Sequence, residues 1–120
     1  MLVMADPIVL TTADLASGVT AERFDGATHG AGIGVSFFVN HTPPGRGPDA
    51  HRHPYAEVFV LLDGEATFEV DGRPVTARGG QIVVVPPRAW HGFKNAGART
   101  LEMLSIHDTA EMETEWQEDQ

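Results

Sequence analysis

Apolar and polar residues alternate along the chain in short segments interrupted by glycine and proline, a pattern typical of β-strands. Residues 33–40 (IGVSFFVN) are rich in β-branched and aromatic residues, and the breaker Pro43-Pro44-Gly45 follows them. We predict a strand at this position. Residues 8–25 mix a short apolar run with Thr, Asp and Gly, so a strand and a helical turn fit that segment equally well.

Two Asp-Gly pairs divide the following segment, residues 56–80. Asp63-Gly64 and Asp71-Gly72 resemble the two-residue turns that hairpins prefer, because both central positions must accept a positive φ. They predict three antiparallel strands. The apolar run in residues 81–87 (QIVVVPP) indicates a strand buried on both faces. Residues 99–108 (RTLEMLSIHD) complete the β-pattern.

Many short strands with little room for helix predict an all-β fold, either a sandwich or a closed barrel. The chain of 120 residues is long enough for one hydrophobic core and too short for two. We therefore expect a single domain over residues 1–120. Its barrel core is expected at about residues 33–107, followed by an acidic tail at residues 108–120.

The formal net charge of −9 comes largely from that tail. Six acidic residues stand there without a basic residue between them: Asp108, Glu111, Glu113, Glu115, Glu118 and Asp119. A short helix that docks Trp116 on the barrel and a frayed acidic end are equally compatible with this composition. The rest of the chain has no Lys/Arg cluster with interleaved aromatics, so we expect no nucleic-acid partner.

Residues 1–7 lack the positive charge and the long apolar run of a secretory signal. No run of about 18 apolar residues occurs, so we expect a cytoplasmic protein without membrane contact. The chain has no cysteine, which excludes disulfides, thiolate metal ligands and a cysteine nucleophile. Any metal must therefore be bound by nitrogen and oxygen.

The segment HRHPYAE contains a candidate metal site. On a strand His51 and His53 point to the same side, and Glu57 keeps that parity if Pro54 does not shift the register. His91, much later in the chain, is a fourth candidate that must come from another strand. Imidazole nitrogens with one carboxylate oxygen suit Fe, Mn, Zn, Ni, Co or Cu, and suit Ca or Mg poorly.

These residues carry a resemblance to the cupin superfamily. Its first motif, G-x(5)-H-x-H-x(3)-E-x(6)-G, is matched at every specified position by Gly45, His51, His53, Glu57 and Gly64. Its second motif, G-x(5)-P-x-G-x(2)-H-x(3)-N, is matched by Gly80, Pro86, His91 and Asn95. One position departs from the pattern, because Arg88 stands where the motif has its second glycine.

The resemblance implies a double-stranded β-helix, or jelly-roll barrel, with one metal held by His51, His53, Glu57 and His91. Cupins include many enzymes and some binding proteins, so the fold does not choose the reaction. We expect an enzyme that acts on a small organic molecule, with oxygenase-type chemistry favoured. A metal-dependent isomerase or lyase without O2, or a non-catalytic small-ligand-binding module, is the alternative. A homodimer is expected from the family.

Pocket residues follow from parity and from the motifs. Parity with Glu57 and His91 nominates Phe59, Leu61, Phe93 and Asn95, for which core packing is an equally good explanation. Arg88 is the candidate for binding a substrate carboxylate, with Arg46 and Arg52 near the ligands as further cations; a solvated surface position is the simpler interpretation of each arginine. His29, His41 and His107 match no motif position and receive no role, and no catalytic base is evident.

Overall fold

The computed structural model describes residues 6–118, so the first five residues and the last two of the predicted tail, Asp119 and Gln120, lie outside the described part. Within it no helix has the length and apolar character that crossing a membrane requires. Thr12–Leu15 is a 3-10 turn and Gly26–His29 a single helical turn. Residues 6–118 also form eleven strands: β1 (Ala16–Ser17), β2 (Ala21–Phe24), β3 (Ser36–Thr42), β4 (His51–Arg52), β5 (Glu57–Asp63), β6 (Glu65–Val70), β7 (Arg73–Arg78), β8 (Ile82–Val85), β9 (His91–Asn95), β10 (Leu101–His107) and β11 (Glu115–Trp116).

The strands form two antiparallel sheets. One sheet has the order β1-β2-β3-β10-β5-β8 and the other β11-β4-β9-β6-β7. Consecutive strands often lie in different sheets, as in a jelly roll, where the chain crosses repeatedly between two facing layers. The predicted all-β jelly-roll class is confirmed.

The two segments that the sequence left open both form short strands. Residues 8–25 contain the 3-10 turn and then β1 and β2, which extend the six-stranded sheet. In the acidic tail, Glu115–Trp116 pairs with His51–Arg52 at the edge of the other sheet. The tail therefore forms neither the docked helix nor the frayed end, because backbone pairing to an open sheet edge satisfies its polar groups.

Only one of the two predicted Asp-Gly turns closes a hairpin. Asp71 and Gly72 have φ of 48° and 79°, and Val70 pairs with Arg73 across them, as predicted. Asp63-Gly64 was wrongly predicted as a hairpin turn, because the strands on either side of it belong to different sheets. Gly64 has a φ of 97°, and an added Cβ there would lie 3.1 Å from Leu101 Cα. It is the corner at which the chain changes sheets.

The strand Ile82–Val85 was also wrongly predicted to be buried on both faces. It is the edge strand of the six-stranded sheet and pairs only with β5 within that sheet. Val85 is buried, whereas Ile82 and Val84 are each 63% exposed. A continuous apolar run indicates a high β-propensity, but it does not show whether one or both faces of the strand are covered by the rest of the protein.

The interior changes from apolar to polar along the strands. On β10 the inward side chains run from Leu101 and Met103 at one end to Ser105 and His107 at the other. On β5 the inward series runs in the opposite chain direction, with Leu61 at the apolar end and Glu57 at the polar end. Because the two strands are antiparallel, their polar ends coincide, and this end of the interior holds the candidate site.

Candidate metal centre

Strand register brings the predicted ligands together. In the five-stranded sheet His51 pairs directly with His91 on one side and with Trp116 on the other. In the six-stranded sheet Glu57 pairs with His107. His53 follows directly after β4. The ligand atoms of His51, His53, Glu57 and His91 all lie within 4.8 Å of one another, and the four residues are buried.

A backbone carbonyl orients each of the three histidine rings. Nδ1 of His51 lies 2.8 Å from the Asp49 oxygen, and Nδ1 of His91 lies 2.9 Å from the Ala89 oxygen. Nδ1 of His53 lies 2.8 Å from the oxygen of Glu113 in the tail. A carbonyl oxygen only accepts, so Nδ1 carries the hydrogen in each ring. Nε2 then presents a lone pair toward the centre, the form in which imidazole binds a metal.

Glu57 lies at the centre of this group. Its Oε1 is 2.9 Å from Nε2 of His53 and 2.9 Å from Nε2 of His91. Burial by itself would raise the pKa of Glu57, but its contacts with His107, His53 and His91 outweigh that effect and hold the pKa well below its ordinary value. Burial lowers the pKa of His51. The carboxylate is therefore ionised and His51 neutral at pH 7.

These four residues fit a divalent transition metal. Two donors about 2.1 Å from one metal and at right angles to each other are about 3.0 Å apart, close to the 2.9 Å between Oε1 and each of its two Nε2 neighbours. His53 Nε2 is buried and, among the described residues, has no aligned hydrogen-bond partner. Lone pairs that face a carboxylate are unfavourable unless a cation lies between them. A divalent metal ion bound by these four residues would supply that cation.

His107, to which the sequence assigned no role, also lies at the site. It is buried, and its Nε2 is 3.2 Å from Glu57 Oε2. Its Nδ1 is 2.8 Å from the hydroxyl of Tyr55, whose ring stacks on His53 with centroids 4.9 Å apart. Strand parity with Leu101 and Met103 was the available signal for His107, because it places the ring on the inward face of β10.

The centre opens into a cavity of about 510 Å³. Arg23 is the cationic side chain among the described lining residues, and it was not predicted. Besides Arg23 and the predicted ligands, the polar lining residues of the cavity are Ser17, Asn40, Ser105, His107 and Thr114, and the remaining lining residues are apolar. The complete lining is Ser17, Ala21, Arg23, Phe38, Asn40, Pro48, His51, His53, Glu57, Phe59, Phe93, Ser105, His107, Thr114 and Trp116.

Only two of the five nominated pocket residues line this cavity, Phe59 and Phe93. Leu61 belongs to the hydrophobic core, one inward position deeper than Phe59. Asn95 is buried and donates hydrogen bonds through Nδ2 to the carbonyl oxygens of Thr42 and Arg99, so it holds loops together. The four nominated strand residues all point inward, as parity predicted. Only the two that lie near the polar end of their strands reach the cavity.

The arginines nominated from the sequence lie elsewhere. Arg88 is exposed and borders a smaller cavity of about 200 Å³ beside Arg52 and Glu115. Arg52 donates to the Glu115 carboxylate at 2.8 Å and lies over the Trp90 ring at 4.2 Å. Arg46 is exposed in the loop before β4. Arg52 points away from the ligands because neighbours on a strand alternate faces, whereas Arg46 and Arg88 lie in loops.

Arg88 has a φ of 69°, the left-handed conformation that explains why the motif has glycine at this position. Replacing Arg88 by glycine is expected to stabilise the protein by about 0.5–1 kcal/mol, because it relieves the Cβ penalty of that conformation and removes only an exposed side chain. Urea unfolding measures the difference. Arg78→Gly in strand β7 is the matched control and is expected to destabilise. Equal losses for both variants would contradict the strain argument.

The fold and the site together define a class of protein: a jelly-roll barrel with a candidate metal centre of three imidazoles and one carboxylate at the end of its cavity. The chain matches the Cupin domain family over residues 38–107, which is more than half of its length. The chain therefore belongs to the cupin family.

Similar proteins include two dioxygenases. The chain is 28% identical over 87 residues to 5-nitrosalicylic acid 1,2-dioxygenase of Bradyrhizobium sp, which covers 71% of this chain and 42% of the relative. It is 33% identical over 76 residues to gentisate 1,2 dioxygenase 1 of Aquipseudomonas alcaligenes, covering 56% of this chain and 22% of the relative. The chain thus spans less than half the length of these relatives.

Among solved structures, oxalate decarboxylase of Bacillus subtilis at pH 4.6 superposes with a TM-score of 0.81 at 15% identity. The match covers 96% of this chain and 33% of that protein. At this identity the likeness establishes the fold alone. The extra strands before residue 33 and after residue 107 are therefore compatible with a cupin barrel.

Proposed function

We propose that this protein is a metal-dependent enzyme that acts on a small organic acid with dioxygen as the second substrate. One observation carries the proposal: a buried set of three imidazole donors and one carboxylate opens directly into a cavity of about 510 Å³. A structural metal site is enclosed by its ligands, whereas a catalytic site keeps positions open to a substrate.

The donors favour a first-row transition metal such as Fe or Mn, with Zn, Ni, Co and Cu as alternatives. When bound, such a metal would supply Lewis-acid and redox chemistry for an ionised substrate and O2. The protein's part is to orient the rings through their Nδ1 hydrogen bonds. Phe59 and Phe93 cover the inner wall and exclude bulk water from the reacting groups.

The charge of the cavity favours an anionic substrate. Among its described lining residues Glu57 is the one carboxylate and Arg23 the one guanidinium, so a divalent cation makes the interior net positive although the whole chain carries −9. Asp25 accepts hydrogen bonds from Nε and Nη2 of Arg23. Nη1 has no partner among the described residues and is available to bind a substrate carboxylate.

Dioxygenase chemistry is supported by the two relatives, whose names give aromatic hydroxy-acids as substrates. The cavity offers matching surfaces. Phe38 lies under the Arg23 guanidinium at 5.6 Å, and Trp116 stands over His51 with ring centroids 4.9 Å apart. An aromatic ring bound between these side chains would place its acid group beside Arg23 and its hydroxyl toward the centre.

The protein reconstituted with Fe²⁺ is expected to consume O2 when supplied with small hydroxy-carboxylic acids and to leave their methyl esters largely unreacted. An oxygen electrode measures uptake, and chromatography identifies the products. In Arg23→Gln, kcat/KM for the acids should fall about 10- to 100-fold, the contribution of one or two hydrogen bonds to a charged group. The loss should appear mainly in KM, because the arginine binds a part of the substrate that does not react.

Arg78→Gln is the matched control, because Arg78 is exposed on strand β7 and lies outside the lining of the cavity. It should leave kcat/KM unchanged. Equal turnover of acids and esters would contradict the carboxylate class. Product formation without O2 would indicate a lyase or an isomerase, and tight binding of acids without any product would indicate a binding protein.

A further inference from the structure

We infer that His107 is a positioning residue that holds Glu57 in a single orientation for the metal, and that Tyr55 fixes the tautomer in which His107 does this. The inference rests on the metal-binding part of the proposed function. The predicted ligand set does not account for the surroundings of the second oxygen of the Glu57 carboxylate.

The two oxygens of Glu57 have different surroundings. Oε1 faces the metal centre, 2.9 Å from Nε2 of both His53 and His91. Oε2 faces away from it, 3.2 Å from Nε2 of His107. Glu57 and His107 are direct partners in the β5–β10 register, so this contact is set by the backbone of two central strands. Both side chains are at most 4% exposed.

Hydrogen bonding around Tyr55 determines which nitrogen of His107 carries the proton. The Tyr55 hydroxyl accepts from the Glu113 N–H at 3.2 Å. Oε2 of Glu57 only accepts, so its contact with Nε2 of His107 requires the hydrogen on Nε2 and leaves Nδ1 as an acceptor. The Tyr55 hydroxyl is 2.8 Å from this Nδ1, compared with 3.5 Å to the Glu113 oxygen, and donates to it. A neutral His107 then carries its hydrogen on Nε2 and donates to Glu57 Oε2.

His107 is therefore the opposite tautomer to the three ligand histidines. They donate through Nδ1 to backbone carbonyls and turn the Nε2 lone pair to the centre. His107 turns an N–H toward the carboxylate. A donor at Oε2 keeps that oxygen from rotating inward to become a second metal ligand, so Glu57 occupies one coordination position and the cavity side stays open.

The tail takes part in this network. Glu113 receives the Nδ1–H of His53 on its carbonyl oxygen and gives its N–H to Tyr55. One backbone residue thus orients a ligand and, through Tyr55, the group that holds another ligand. Pairing of the adjacent Glu115–Trp116 with β4 fixes Glu113 at this position.

The test compares Co²⁺ binding by the wild type, His107→Leu, His107→Gln and Tyr55→Phe. Competition with a chromophoric chelator gives the affinity, and the visible absorption of bound Co²⁺ reports its coordination number. We expect His107→Leu to weaken Co²⁺ binding about 10- to 100-fold and to change the absorption spectrum. His107→Gln should restore most of the affinity, because its side-chain amide can donate from nearly the position of Nε2. Tyr55→Phe should lower the affinity less, in the same direction.

Each alternative gives a different result. Unchanged Co²⁺ affinity and an unchanged spectrum in a folded His107→Leu would overturn the positioning role. If His107→Gln loses Co²⁺ as completely as His91→Ala, the positioning role is also overturned, because His107 would then be a metal ligand. If His107→Leu does not fold, the glutamine and phenylalanine variants decide. A wild type that binds no Co²⁺ contradicts the proposed metal site itself, whereas failure of the variants alone contradicts only His107.

Discussion

Replacing His91 by alanine is expected to lower the affinity of the protein for a divalent transition metal by more than about 100-fold, since even residues that only orient a ligand contribute about 10- to 100-fold. The variant loses one of four donors and leaves Glu57 Oε1 with a single imidazole neighbour, His53. Elemental analysis of protein purified without chelator gives the metal content. Titration with Co²⁺ against a competing chelator gives the affinity.

His41→Ala is the matched control for this variant. His41 also contacts carboxylates, with Nε2 2.9 Å from Glu22 and Nδ1 against Glu102. It lies on the outward face of β3, since Phe38 and Asn40 on the same strand line the cavity. Its removal should leave the metal content unchanged. Wild-type metal content in His91→Ala, or equal losses in the two variants, would contradict the assignment of the centre.

The common orientation of His51 and His53 was predictable because alternation along a strand is a local property. Alternation does not place Glu57, because β4 ends at Arg52 and the chain passes to the other sheet before β5 begins at Glu57. Glu57 was predicted correctly by the spacing of the motif. The prediction of His91 as a ligand also rested on the family resemblance, because the distance between two strands of a barrel depends on the whole topology. The register that pairs His51 with His91 is visible only in the fold.

The parts of the site that were missed all come from distant segments. Arg23 lies in a segment whose secondary structure the sequence left undecided, and its position in the cavity depends on the pairing of β2 with β3. His107 had correct parity but no motif. Glu113 acts through its backbone, so its side chain gave no signal. Such contacts follow from long-range register, which composition and periodicity do not specify.

The errors in the fold have a related cause. Asp63-Gly64 and Asp71-Gly72 look alike in the sequence, but only the second joins two strands of one sheet. A positive φ at glycine allows both a tight hairpin and a corner between layers. What distinguishes them is the partner of the following strand. β6 pairs with β7 and β9 of the five-stranded sheet and not with β5, the strand that precedes Gly64.

Removing the metal from the wild type is expected to lower its melting temperature by about 15 °C relative to protein with free metal at about 1,000 times the dissociation constant. Binding to the folded state at that excess adds about 4 kcal/mol, and each kcal/mol corresponds to about 4 °C in a domain of this size. The physical source is the cluster around Glu57, where three buried imidazoles and a buried carboxylate lie close together and lack a cation when the metal is removed. Differential scanning calorimetry with Mn²⁺ or with chelator measures the shift.

The same pair of scans on His91→Ala separates binding at the centre from weak binding to the acidic surface. The variant keeps the exposed acids that contribute to the net charge of −9, so any stabilisation through those acids persists in it. We expect its melting temperature to be nearly independent of metal. A metal-dependent shift of equal size in both proteins would assign the stabilisation to the acidic surface. The absence of a shift in the wild type would show that the four side chains pack together stably without a cation. This result would contradict the inference that the spacing of Oε1 and the two imidazoles fits a bound metal.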